Sequence, residues 1–318
     1  MMEGSPMLGH APEFRSVVRA AGLVAPTDAT VLITGESGTG KELLAQHIHR
    51  HSRRNQGPYV VINCAALPDT LVESELFGHH KGAFTGAVQH QVGRVQAASG
   101  GTLFLDEISE ISLATQAKLL RLLESGECQT VGISQVSRVD IRVIAATNKN
   151  LLDWVQAGRF REDLYFRLNV VPLELPSLRQ RREDLPLLVQ AFAAGTAEKN
   201  QLQPPVYAPC ALQRFKNYSW PGNIRELRNL CERMGILHAG RTVQAEDLPW
   251  EMRQEQPVVQ STSLFALPAG GIDFEQLERQ LIDQALTRSG GNKSHAARLL
   301  GFSRDTFLYR LKKFSMPV

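Results

Sequence analysis

Two short clusters in this 318-residue chain have the residue types and spacing for chemistry on phosphate. The first is Gly35-Glu-Ser-Gly-Thr-Gly-Lys41. Gly35, Gly38 and Gly40 let backbone N–H groups converge on phosphate oxygens, and Lys41 adds a point charge for the terminal phosphates. Glu36, Ser37 and Thr39 fill the intervening positions. The general pattern continues with Ser or Thr to hold magnesium, whereas here Glu42 follows. The second cluster is Asp106–Glu107, closing the apolar run Gly101-Thr-Leu-Phe-Leu. Two carboxylates at the end of a buried strand suit a metal ion and an attacking water. Such a pair says little alone, but it gains specificity some 65 residues after a phosphate loop.

Both clusters need a scaffold that ends its strands on one edge. Runs at 30–34, 59–63, 102–105, 141–146 and 170–175 read as strands, with helices over 42–51 and 113–124 between them. That alternation predicts a parallel sheet with crossover helices. After Pro176 only helical patterns remain, over 183–194, 208–215, 224–238 and a short piece near Ala245. Residues 254–271 are rich in Gln, Ser, Pro and Gly without periodicity, a linker composition. Asp273 opens a third unit.

Between the two clusters lies Gly82-Ala-Phe-Thr-Gly-Ala87. Glycines bracketing an aromatic and a hydroxyl make a poor core element and a good loop tip. An apolar side chain shown on a tip points to a protein partner; the plain alternative is a long turn. With Glu75-Leu-Phe-Gly78 and His79-His80-Lys81 ahead of it, the string resembles the loop by which sigma-54-dependent transcriptional activators, the bacterial enhancer-binding proteins, touch the alternative sigma factor. The resemblance runs motif by motif over roughly residues 7–250. It implies an α/β AAA+ parallel-sheet ATPase subdomain over 1–175 and a helical lid over 176–252. A linker (253–272) and an all-α helix-turn-helix domain (273–318) would follow.

The same resemblance distributes roles. ATP and Mg2+ would sit on the phosphate loop, with Asp106 placing magnesium and Glu107 orienting water; the family also carries Glu at the position of Glu42. Asn63 would switch Glu107 towards or away from water, although a strand-end cap is an open alternative. Thr147–Asn148 would feel the γ-phosphate, and Arg225, in Trp220-Pro-Gly-Asn-Ile-Arg-Glu, would reach it from the lid. Arg161 and Arg167 match arginines presented to a neighbouring subunit's nucleotide; ion pairs with Glu162 or Asp163 are the alternative. The base of ATP is placed near Leu8–Gly9. Gly82, Ala83, Phe84, Thr85, Gly86 and Ala87 would form the sigma loop, with Phe84 and Thr85 in contact.

The tail reads first from its own residues. Phe274, Leu277, Leu281, Ala285 and Leu286 fall at helical spacing, 292–300 gives a second helix, and Ser303 caps a third. In that third helix Phe307, Leu308, Leu311 and Phe314 face inward. Thr306, Tyr309, Arg310 and Lys313 share the outer face, with Arg304 at its start. Such a unit suits the major groove, with Arg304, Thr306 and Arg310 near base edges, Lys312 or Lys313 on phosphate and Lys293 beside them. It resembles the Fis-type module of the same family, which implies dimerisation through the first helix.

Charge supports a nucleic-acid contact by the tail. Net charge is +3, yet from Ser289 onward six of the 35 Lys/Arg face one of the 32 acids, leaving 29 basic and 31 acidic side chains before it. No apolar run has the length of a membrane span and no signal pattern opens the chain, so the reading is a cytoplasmic protein. Cys64, Cys128, Cys210 and Cys231 lack metal or redox spacing and read as buried or incidental thiols. His47, His49 and His51 read as a solvated helix face rather than a metal site. The expected function is a DNA-binding activator that spends ATP hydrolysis in a ring, dimer to hexamer, to convert sigma-54 RNA polymerase holoenzyme from closed to open complex. A regulator acting by occupancy with a vestigial ATPase is the alternative. The ATPase pattern starts within about ten residues of Met1, so control is expected from expression level or a protein acting in trans.

Overall fold

A computed structural model describes residues 7–66, 68–83, 89–133, 136–253 and 273–314. Five strands form one parallel sheet: β1 (Val31–Thr34), β2 (Tyr59–Asn63), β3 (Thr102–Asp106), β4 (Arg142–Thr147) and β5 (Val171–Glu174), in the order β2-β3-β4-β1-β5. The central strands are buried end to end because helices cover both faces. Alternate residues therefore feed two cores. Val31, Ile33, Phe104, Ile144 and Leu173 pack under Pro12–Val24 and Lys41–Arg50, while Leu32, Leu103, Leu105, Val143 and Ala145 pack under Asp69–Phe77, Leu113–Ser125 and Glu162–Leu168. Polar groups are left only the strand ends.

Buried Arg142 shows how tightly the far edge is closed. Its Nη1 donates to the Ala25 carbonyl at 2.6 Å and its Nη2 to that of Val24 at 3.0 Å, satisfying the C-terminus of the Pro12–Val24 helix. That helix, like Asp69–Phe77 and Glu162–Leu168, was not among the helices read from sequence. His49 departs from the solvated-face reading: it is buried, its Nδ1 2.9 Å from Thr102 Oγ1, because its helix turns that side to the sheet.

The lid follows as helices Leu185–Asn200, Pro209–Asn217 and Asn223–Leu237 around Leu188, Phe215, Trp220, Leu227 and Met234. The first starts later than its sequence pattern, with Pro186 at its first turn, and runs on through Gly195 because Ala193 and Ala197 continue its buried face. Trp220 is fully buried and its Nε1 donates to the Phe215 carbonyl at 2.8 Å.

The chain divides into two compact units, 1–256 and 257–318. In the second, Phe274–Arg288, Lys293–Leu299 and Arg304–Lys313 pack around Ile282, Ala285, Ala296, Phe307 and Leu311. Asp273, Asn292 and Ser303 cap them with their side chains. The linker read over 254–271 lies outside the described residues. Among the described residues no helix is long and apolar enough to cross a membrane.

Phe104 packs at the middle of β3, an inner strand of the sheet, so Phe104→Ala should destabilise the first unit by about 3–5 kcal/mol in denaturant unfolding. A loss below about 1 kcal/mol would mean that this strand is not the centre of the core.

Candidate functional site

The phosphate loop joins β1 to the Lys41–Arg50 helix, with Gly35, Gly38 and Gly40 at φ 147°, 79° and 103°. Gly38 is needed twice over: a Cβ there would lie 2.4 Å from the Gly222 carbonyl of the lid. Lys41 is buried, and its Nζ donates to the carbonyls of Gly35 at 2.9 Å and Glu36 at 3.3 Å. Burial pulls the lysine's pKa down, while Glu107 and Asp106 hold it up. Thr39 is spent on the loop itself, its Oγ1 donating to the Glu36 carbonyl at 2.8 Å. Glu42 is exposed in the first turn of the helix.

Strand register carries Asp106 and Asn63 to the same level of the sheet edge. Burial raises the Asp106 pKa and Lys41 opposes it. Glu107 takes the left-handed conformation at φ 52°, uncommon for a non-glycine residue and frequent at functional turns. Its carboxylate stands 3.9 Å from Lys41 Nζ and accepts the Asn148 backbone N–H at 3.3 Å. Lys41, Asp106, Glu107 and Asn148 therefore meet at one place.

Other expected members are arranged differently. Asn63 Oδ1 accepts the Ala65 N–H at 2.9 Å, so it caps the turn after its strand and does not hold Glu107. Thr147 is fully buried, its Oγ1 donating to Ser109 Oγ and accepting from Lys149 N; only Asn148 of that pair is exposed. Arg161 makes a two-pronged ion pair with Asp163, at 3.0 and 2.7 Å. Arg167 donates twice to the Leu123 carbonyl, at 3.1 and 2.8 Å. Both are exposed and bond outside the phosphate loop, and the Arg161 pair with Asp163 is the alternative that the sequence left open. Arg225 does reach the loop, its Nη1 donating to Ser37 Oγ at 2.9 Å. Two further lid contacts escaped the sequence reading: Arg179 pairs with Glu36, and Asn223 bonds Glu36 and Ser37. The Trp220-Pro-Gly-Asn string was the signal for Asn223; nothing local marked Arg179.

The segments on either side of the 82–87 string form a stem. Gly78–His79 pairs antiparallel with Gln91–Val92, and Glu75 grips the returning chain through Gln91 Nε2 at 2.9 Å and Arg94 Nε at 3.2 Å. A Cβ on Gly93 would meet Gly78 N at 2.4 Å, so the stem closes only with glycine there. A second segment braces it, His80 N donating to the Val131 carbonyl and Val131 N to that of Gly78, both at 3.0 Å. Gly82 sits at φ 85°. Phe84, Thr85, Gly86 and Ala87 lie outside the described residues.

In the second unit Arg304, Thr306, Tyr309 and Lys312 are exposed along the third helix, and Lys293 is half-buried at the start of the second. Thr306 is tied to the Ser303 cap, the two hydroxyl oxygens 2.8 Å apart. Arg310 corrects the base-edge expectation. Its guanidinium is ion-paired with Glu278 of the first helix, which is 92% buried at its side chain, and lies 5.6 Å from the Phe302 ring centroid. Arg310 lies three positions after buried Phe307 and one before buried Leu311, so it borders the inner seam. Lys313 pairs with Glu275 at 2.8 Å. Arg310→Ala should therefore lower the melting temperature of this unit and weaken all DNA sequences alike. Arg304→Ala should leave melting unchanged and alter sequence preference by about 1–3 kcal/mol, read in competition gel shifts.

Comparison with known proteins agrees with this arrangement. The chain matches the Sigma-54 interaction domain over residues 7–174, the AAA+ ATPase lid domain over 179–264 and the bacterial regulatory protein, Fis family, over 273–314. It is 48% identical to the transcriptional regulatory protein ZraR of Escherichia coli K12 across 96% of this chain and 68% of that protein. With the DNA-binding transcriptional regulator NtrC of the same organism it shares 43% identity, over 98% and 70%. The crystal structure of NtrX from Brucella abortus in complex with ATP superposes with a TM-score of 0.73 at 35% identity, covering 97% of this chain and 69% of that one. Matched domain by domain in this order, the chain belongs to the sigma-54-dependent transcriptional activators, with an AAA+ domain, its helical lid and a Fis-type helix-turn-helix.

Proposed function

We propose that this protein binds and hydrolyses ATP in a ring of identical subunits and uses the cycle to move its 82–87 loop against sigma-54 RNA polymerase holoenzyme. Closed promoter complexes would thereby open, while the second unit holds upstream double-stranded DNA. The observation that carries the reading is the meeting of Lys41, Asp106, Glu107 and Asn148 at the strand ends, with Arg225 brought onto the same loop by the lid.

Each group has work suited to its place. The loop's glycines turn backbone N–H groups to phosphate, and Lys41 exchanges two loop carbonyls for phosphate oxygens. Glu107 is the base that orients and polarises water. Asn148 lies one bond from it and within the same cluster, a place from which it would sense the terminal phosphate. Asp106 has the hard oxygen donors that Mg2+ takes, and among the described residues no group of three His, Cys, Asp or Glu could hold a metal unaided. Magnesium would therefore arrive with the nucleotide's phosphates, supplying charge neutralisation there. Arg161 and Arg167 would act on a neighbouring copy's nucleotide, so turnover depends on assembly. NtrX was crystallised with ATP and with ADP, which supports the same ligands here.

The direct test is a native gel of this protein with purified sigma-54 in ADP and aluminium fluoride. A complex should form only with that transition-state mimic and vanish in Thr85→Ala, whose ATP turnover should stay near wild type. A protein that neither hydrolyses nor binds would instead be a regulator acting by occupancy. Glu107→Gln should still bind nucleotide while turnover falls by roughly 10²–10⁴-fold. Turnover per subunit should rise steeply with protein concentration, and a flat profile would remove the role in trans from Arg161 and Arg167.

A further inference from the structure

Glu36 occupies a position where a phosphate loop asks little of a side chain, yet its half-exposed carboxylate accepts three hydrogen bonds from the lid. It accepts from both terminal nitrogens of Arg179, Nη1 at 2.8 Å, and from Asn223 Nδ2 at 3.1 Å. Arg179 belongs to the first turn of the lid, and Asn223 starts the helix that carries Arg225. Asn223 is fully buried and sits at φ 50°. Its Nδ2 also donates to the Ser37 carbonyl at 3.0 Å, and its Oδ1 accepts the Leu178 N–H at 2.8 Å. One amide thus joins the phosphate loop, the first turn of the lid and the helix start. The neighbouring Ile224 N–H donates to the Gly38 carbonyl at 2.9 Å, and Gly38 fits under Gly222 only without a Cβ.

These contacts converge on one segment. Left-handed backbone at a residue other than glycine persists where surroundings over-determine it, and asparagine bears it best. A cleft of about 500 Å³ is lined by Thr34, Asn148, Glu174 and Ser177 among others, and Glu36 and Arg179 both stand on its wall. Arginine's fork fits a carboxylate in two parallel bonds, which fixes orientation as well as distance.

We propose that Glu36, Arg179 and Asn223 form a latch that holds the lid on the phosphate loop and so positions Arg225. This rests on the ATP-site reading above. The Glu36 carboxylate and the Asn223 amide are bonded to each other and to Arg179, Ser37 and Leu178, so they are positioning residues that act through Arg225. The latch keeps its charge across the physiological range: Arg179 and Asn223 hold the Glu36 pKa down to about 2, so its contribution is complete above about pH 4.5 and fades as pH falls towards 2. Without it the competent arrangement becomes one of several, and apparent affinity drops by the fraction lost.

The test is the binding of a fluorescent ADP analogue to the full chain and to Glu36→Gln, Arg179→Lys, Asn223→Ala, Arg225→Ala and Lys41→Ala. Each latch variant should weaken binding by roughly tenfold or more. The decisive comparison is coupling: Arg225→Ala should cost affinity in the wild-type background and almost nothing further beside Asn223→Ala or Glu36→Gln. Losses that add, or latch variants that bind like wild type, would overturn the latch. Binding lost by Lys41→Ala alone, with the latch variants unaffected, would leave the ATP site standing and remove the latch. Absence of binding by wild-type protein would sink both. Because Asn223→Ala could disturb the lid itself, hydrogen exchange of the Ile224 amide in nucleotide-free Glu36→Gln gives a second reading. Its protection should fall, and an unchanged rate would overturn the proposal.

Discussion

A parallel sheet covered on both faces leaves one place for polar chemistry. Phe104 and Ile144 face one core and Leu105 and Ala145 the other, so no side chain of β3 or β4 before the last residue is free to meet a ligand. Only where the strands stop do carboxylates and amides emerge, and register decides which emerge together. Asn63 stands level with Asp106, and Thr34 of β1 stands level with Thr147. Glu107 escapes the sheet by a single left-handed residue, which turns its carboxylate towards Asn148 and Lys41. The site is the sheet's edge made chemical, in keeping with the rule that open α/β sheets bind ligands beyond the carboxyl ends of their strands.

Burial sets the electrostatics of that edge. Lys41 and Asp106 are both partly removed from water, which weakens the charged form of each, and their proximity offsets this only in part. Neither charge is satisfied by solvent, so phosphate oxygens and a divalent cation are the partners such a place favours. The lid supplies the remaining wall, and it does so through side chains whose partners lie some 140 to 190 residues away: Arg179 and Asn223 on Glu36, and Arg225 on Ser37.

The same logic of shared seams governs the second unit. Three short helices have little surface to bury, and an ion pair between Arg310 and Glu278 occupies part of the seam between first and third. A residue chosen by composition for DNA is thereby committed to holding the helix in place, while Arg304 and Tyr309 keep the exposed face.

The linear sequence determined the phosphate loop, the acidic pair, the five strands and the three-helix tail, because each depends on contacts or periodicities within a few residues. Glycine spacing and strand-end acids are local demands, legible without a fold. What only tertiary structure decided were the partners. Asn63 turned to Ala65, Thr147 inward to Ser109, and Arg161 to Asp163, since a side chain takes the nearest satisfied geometry once its strand or helix is placed. His49 entered the core because its helix lies against Thr102. Arg179 was invisible in sequence because its meaning is a distance to Glu36, and a separation of 143 positions carries no trace of it.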